Sequence, residues 1–219
     1  MTAIDEVSAR VAAAQQRLDS LERLLDDVEG VQRVKQHLQR ERLTSSALQT
    51  APSDYYSWRL DQRAKFLGCS TVHLCKSIIV ENVACVNQSI EDPLNSRYYC
   101  VVLQYISKLD AEQLRRFVRD NIPEADRPSR KKFNFQHAPA EVSEQLTGFK
   151  HNGVSTFGMK TRIPVIVASD VVALKPAFLW LGGGAESVKL RVSVKDLIVA
   201  LEARVADGIT TLRTGLDEQ

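Results

Sequence analysis

The chain has 219 residues, of which 44% are hydrophobic and 26% charged, with 29 Lys and Arg against 27 Asp and Glu. This hydrophobic share supports a real core and excludes a disordered, collagen-like or disulfide-scaffold protein. The charges nearly cancel, so a nucleic acid would have to be held by a local patch rather than by the field of the whole molecule.

The N-terminus, Met1-Thr2-Ala3-Ile4-Asp5-Glu6, is acidic where a secretory signal is basic. No apolar run approaches the roughly 20 residues that span a bilayer, so a cytoplasmic protein without membrane contact is expected. From Ile4 to about Leu38 there is no proline and a single glycine, Gly30. Apolar residues recur in alternating steps of three and four, with Ile4, Val11, Leu18 and Leu25 on one edge of a seam and Val7, Ala14, Leu21 and Val28 on the other. This heptad pattern predicts a helix that either packs back on its own domain or forms a coiled coil with another chain. After Val28 the apolar residues Val31, Val34 and Leu38 shift the seam, and with Gly30 in the same turn a kink is expected there. Residues 1–43 are assigned to this helical coiled-coil segment and the polar residues 44–53 to a linker.

Residues 54–206 then alternate helical and strand patterns. Asp54 to Leu67 reads as a helix closed by Gly68. Ser77 to Val83 and Tyr98 to Ile106 are rich in β-branched and aromatic residues, and the turn-forming stretch Glu91 to Ser96 makes them a hairpin. Asp110 to Val118 and Pro139 to Leu146 read as helices and Ile163 to Ala168 as a strand. Two short strands, Phe178 to Leu181 and Ser187 to Val192, flank Gly182-Gly183-Gly184, a last helix covers Val194 to Val205, and residues 207–219 form a tail. The interleaving predicts an α+β fold with a mixed sheet covered by helices.

The familiar catalytic motifs are missing: there is no Gly-x-Ser-x-Gly elbow, phosphate loop, His-Glu-x-x-His or dinucleotide fingerprint. Cys69, Cys75, Cys85 and Cys100 form no Cys-x-x-Cys pair, so free thiols and no metal are expected. Three features remain. Lys76 is a lone cation where an apolar helix end passes into an apolar strand, and it must reach water or meet an anion. The loop Gly148 to Gly158 carries three glycines and several polar groups, His151 among them, and is either a backbone cradle for a ligand or a long surface turn. Arg127 to Phe135 places Arg130, Lys131 and Lys132 before Phe133 and Phe135, which suits phosphates beside stacked bases or a basic turn leading into a core strand.

In this order the motifs resemble the YbaK/prolyl-tRNA-synthetase-associated editing domain family, from about Tyr55 to Val205. The residues that carry the resemblance are Cys75-Lys76-Ser77-Ile78-Ile79-Val80, Ala138-Pro139-Ala140-Glu141-Val142, Thr147-Gly148, Gly153-Val154-Ser155-Thr156-Phe157-Gly158 and Ile163-Pro164-Val165-Ile166. Gly182-Gly183-Gly184 and Asp196-Leu197 complete the order. The resemblance implies a partly barrel-like mixed sheet. It also implies a cofactor-free, trans-acting deacylase that hydrolyses the ester of a mischarged tRNA, with a small amino acid on proline tRNA as the family's usual substrate. Lys76, Gly153 and Ser155 would then be catalytic. Val154, Thr156, Phe157, Gly158, His151 and Gly183 would contact the aminoacyl end, and Arg130, Lys131 and Lys132 the tRNA. The family's water could be activated by Lys76, a backbone group or a substrate hydroxyl. The partners implied are aminoacyl-tRNA and, through the N-terminal helix, a synthetase complex or a second copy. The competing class is a non-catalytic tRNA-binding or scaffold subunit. Two departures stand out: Thr156 replaces the proline of the glycine loop, and Lys189 and Arg191 occupy a last strand where some members carry acidic residues.

Overall fold

A computed structural model describes residues 3–87, 90 and 92–214, so Glu91 of the predicted turn and residues 215–219 of the predicted tail lie outside the described residues. Helix α1 (Ala3–Arg40) runs unbroken through Gly30, and the expected kink is absent. Gly30 serves close packing instead: a Cβ there would lie 2.1 Å from the Gly184 carbonyl oxygen. From Ile4 to Glu29 the helix is exposed apart from half-covered Asp19 and Asp27, whereas Gly30, Val34 and Leu38 are buried. The stretch read as a linker contains strand β1 (Ala47–Thr50), which pairs antiparallel with β8 (Val188–Ser193), and β8 pairs antiparallel with β7 (Phe178–Gly182).

The predicted helix from Asp54 is interrupted. A 3-10 turn at Tyr55–Ser57 is followed by extended Trp58 and Arg59 before α2 (Leu60–Phe66) begins. The Trp58 indole N–H donates to the Asp54 carboxylate at 3.0 Å and holds this turn closed. The hairpin forms as expected from β2 (Cys75–Asn82) and β3 (Tyr98–Gln104), in register from Cys75 opposite Gln104 to Glu81 opposite Tyr98. It lies in a five-stranded sheet of order β5-β2-β3-β6-β9, with β5 (Phe135–His137) antiparallel to β2, and β6 (Val165–Ala168) and β9 (Arg204–Ala206) parallel to β3 and β6 respectively. Residues 99–103 of β3 are sealed on both faces, as a central strand of a mixed sheet requires. A parallel bridge between Leu74 and Trp180 joins the two larger sheets.

Helix α3 (Ala111–Asp120) is capped by Asp110, whose carboxylate accepts from the N–H groups of Glu112 and Gln113. Helix α4 (Ala140–Thr147) ends at Gly148 in the left-handed region, and a short α5 (Ser169–Val172) follows β6. The last predicted helix is shorter than expected: α6 (Val194–Ala200) stops and Arg204–Ala206 becomes β9. The predicted tail is partly structured as well, since β10 (Thr210–Leu212) pairs with β4 (Ser107–Leu109). Among the described residues no helix is long and apolar enough to cross a membrane.

Candidate functional site

Lys76 sits one residue inside β2, half-buried, with its ammonium 5.8 Å from the Tyr105 ring centre. Burial, aided by the nearby Arg213 cation, lowers its pKa to about 8. The amine is thus still charged at neutral pH but more easily neutralised than an ordinary lysine.

The glycine loop between α4 and β6 is mostly buried, with Gly153, Ser155, Thr156, Phe157 and Gly158 inside and His151 exposed. Its N–H groups are unequally used. Gly153 donates to the Lys150 carbonyl, Phe157 to Ser155 Oγ at 3.2 Å, and Gly158 to His37 Nδ1 at 2.9 Å. Among the described residues the N–H groups of Val154, Ser155 and Thr156 have no protein acceptor, and buried Thr156 Oγ1 also lacks a partner. Unpaired polar groups inside a protein are costly, so a run of them on a mostly buried loop is open to an oxygen of a ligand or of water. The cradle expected from Gly153 to Gly158 therefore narrows to three residues. Ser155 is turned inward, its hydroxyl holding the loop's own backbone.

The loop is supported from two sides. The turn after β7 backs it: Gly184 donates to the Gly153 carbonyl at 3.2 Å, and a Cβ on Gly182 would lie 2.3 Å from the Val154 carbonyl oxygen. Gly183 is buried in that turn against Val188 rather than against the loop. On the other side, α1 lies over the loop ends. The Arg33 guanidinium donates to the carbonyls of Gly148 and Gly158, and the His37 ring meets Phe157 edge-on at 5.3 Å.

A cluster that the sequence reading missed connects the loop to Lys76. Lys189 is 4% exposed; its ammonium donates to the Tyr56 hydroxyl and the Glu186 carbonyl at 2.8 Å each and lies 4.2 Å from the Tyr56 ring centre. Burial pulls its pKa down to about 8, against the opposing pull of Glu186 and with help from Arg63. Ring faces and neutral oxygens touch the cation directly, and the Glu186 carboxylate acts on it through space. The Tyr56 hydroxyl donates to the Asn152 carbonyl at 2.8 Å, and Tyr56 shares a cavity with Tyr105, whose ring is the one beside Lys76. Burial raises both phenol pKa values, so both hydroxyls keep their protons. Tyr56, Arg63, Tyr105, Trp180 and Lys189 line a cavity of about 20 Å³ with room for a single water.

The basic turn does not join this site. Arg130–Lys132 form a 3-10 turn tied to the far end of β2, where Asn82 Nδ2 donates to the Lys132 carbonyl. Six residues of strand separate that point from Lys76, about 20 Å. Phe133 and Phe135 are 4% and 6% exposed, so of the two readings of this segment the basic turn leading into a core strand is the one seen. Arg130, Arg115 and Arg116 all reach the Glu112 carboxylate, whose pKa falls to about 2 mainly through its bond to Arg115. Glu112, Arg115, Arg130 and exposed Lys131 rim an open groove of about 610 Å³. The four cysteines are free, and burial pushes every thiol up, Cys69 to about 11 and Cys100 to about 12, so none is a thiolate nucleophile at neutral pH.

No family model matches the sequence. Among solved structures, the chain is similar to one described as "a putative trans-editing enzyme for prolyl tRNA synthetase", with a TM-score of 0.64 and 20% identity over 85% of this chain and 98% of that one. The fold is that of this structure. A protein described as hypothetical protein APE2540 matches with a TM-score of 0.61 and 22% identity over 82% and 99% of the two chains. A scaffold used for computational epitope grafting gives 0.62 and 19% over 85% and 97%. The shared architecture is the mixed α+β domain, and it leaves the substrate open.

Proposed function

We propose that the chain belongs to the YbaK-like editing proteins and acts in trans as an aminoacyl-tRNA deacylase. The observation that carries this reading is the run of unpartnered N–H groups at Val154, Ser155 and Thr156, set in a fold shared with a trans-editing enzyme. In this reading the aminoacyl carbonyl oxygen accepts from these donors, which hold the negative charge that develops as water adds to the carbon. Lys76 faces the negative charge of the terminal nucleotide and fixes the ester beside that water. The tetrahedral intermediate collapses by breaking the bond to the ribose oxygen, which leaves with a proton from the attacking water. An amino-acid ester is already activated, so positioning and oxyanion binding are sufficient, in keeping with protonated cysteines and tyrosines around the site. A loop packed this tightly selects small amino acids, each added methylene costing about 1–3 kcal/mol.

The test is release of amino acid from alanyl-, cysteinyl- and seryl-tRNA, each on several tRNA backbones. Hydrolysis of at least one is expected, with a fall of about 10²-fold or more in Lys76→Ala. No release from any substrate, or an unchanged rate in Lys76→Ala, overturns the reading and leaves the non-catalytic tRNA-binding subunit in its place.

A further inference from the structure

The apolar seam of α1 is uncovered and faces away from the domain. At 100° per residue, Gly30 and Val34, which touch the domain, lie about 200° and 240° around the helix from Val28, whereas Leu25 lies only about 60° from it. The docked face is thus the back of the seam. Ile4, Val11, Leu21 and Val28 are 76%, 63%, 63% and 67% exposed, and the seam holds four heptads, the length at which a coiled coil becomes a reasonable structure.

The flanking charges identify the occupant. Arg10 and Arg17 stand just before the first edge of the seam, at the g positions, and Glu22 and Glu29 just after the second, at the e positions; all four are exposed. In a parallel, in-register pair of identical helices each g residue meets the e residue five places on in its partner. Arg17 then meets Glu22 of the other copy, and symmetry repeats the pair, while Arg10 faces Gln15 and Glu29 faces Leu24. An antiparallel pair with full seam overlap sets Arg17 against its own copy and Glu22 beside Ser8, with like charges opposed and no ion pair formed. We infer that residues 4–28 form a parallel two-stranded coiled coil with a second copy of this chain. Each domain, carried on the back of its helix, lies outside the pair and is not obstructed. This assembly does not depend on the deacylase reading.

Sedimentation equilibrium of the full chain at micromolar concentration should give twice the chain mass. Leu18→Glu with Leu21→Glu should give the monomer with the domain's thermal transition unchanged, because neither side chain touches the domain. Arg17→Glu should weaken the dimer by about tenfold, and adding Glu22→Arg should restore it. Val7→Cys should form a disulfide between the two substituted positions, found by peptide mapping, because position 7 meets itself only in the parallel arrangement. A monomeric full chain, including one that pairs only with a helix of another protein, overturns the proposal. So does a dimer that survives the seam substitutions, or one that forms no disulfide at position 7.

Discussion

Lys76 and Lys189 are two amines that the fold has made easier to neutralise, and this has a measurable sign. Each has a folded pKa near 8 against about 10.5 for an ordinary lysine. Between these values each amine binds more proton in the unfolded chain than in the folded one, so its contribution to stability rises with pH from about 8 upward. The buried thiols, raised above their ordinary value near 9, act in the opposite direction from about pH 9, and the buried tyrosines do so above pH 10. Chemical denaturation between pH 8 and 10 should therefore give Lys189→Met and Lys76→Met a midpoint that rises less, or falls more, with pH than that of the unsubstituted chain. A slope unchanged by either substitution would remove these amines as its source. Lys76 was legible in the sequence because a cation bounded by Cys75 and Ile78 has no local excuse. Lys189 was not, since on an alternating strand it reads as a solvent-facing residue, and its partner Tyr56 lies 133 positions away. The cradle donors were legible as a glycine loop. Which of them are free is decided by Lys150, Ser155 and His37, and one of those comes from a different element altogether.

Among the elements, α1 carries the clearest lesson. Its heptads were legible because they repeat, and its continuity through Gly30 was not, because propensity alone treats a mid-helix glycine as a weak point. The glycine is there for Gly184, which lies in the left-handed region and approaches the helix backbone closely. In an exposed helix Gly30→Ala would gain about 1 kcal/mol. Here the added methyl meets the Gly184 carbonyl, and the thermal midpoint should fall; a rise would show that the helix can lift off without cost. The short strands β1 and β9 escaped the sequence reading for a related reason. Three or four residues at a sheet edge show too little alternation to be distinguished from loop, and their identity comes from Val188–Arg191 and Ile166–Ala168, which pair with them across long stretches of chain.

At the scale of the whole molecule, the nearly balanced charge resolves into separate places. Residues 1–50 carry 7 basic and 8 acidic residues, which leaves 22 against 19 for the rest. Arg115, Arg116 and Arg130 gather around a single carboxylate, Glu112, and Lys131 lines the groove beside it. Replacing Arg130, Lys131 and Lys132 by Gln should weaken tRNA binding and flatten its dependence on salt. The slope of log affinity against log salt should fall by about 0.7 for each single-stranded phosphate that is no longer neutralised, or by about 0.9 for each phosphate of a duplex. An unchanged slope would take the patch out of the interface. Because the patch stands about 20 Å along β2 from Lys76, it suits phosphates of the acceptor stem better than the terminal adenosine.

The docked end of α1 is also a pivot. About 33 Å of free helix, residues 4–25, extends from about 22 Å of seated helix, residues 26–40, whose first hold is the ion pair of Asp26 with Lys150. A sideways force at the tip is therefore multiplied about one and a half times where the helix is seated, and there its grips include Arg33 on the two carbonyls that bound the glycine loop and His37 on the Gly158 amide. Left alone, such an arm transmits the buffeting of solvent to the loop. Clamped along its length, it becomes a splint for the three amides at Val154, Ser155 and Thr156.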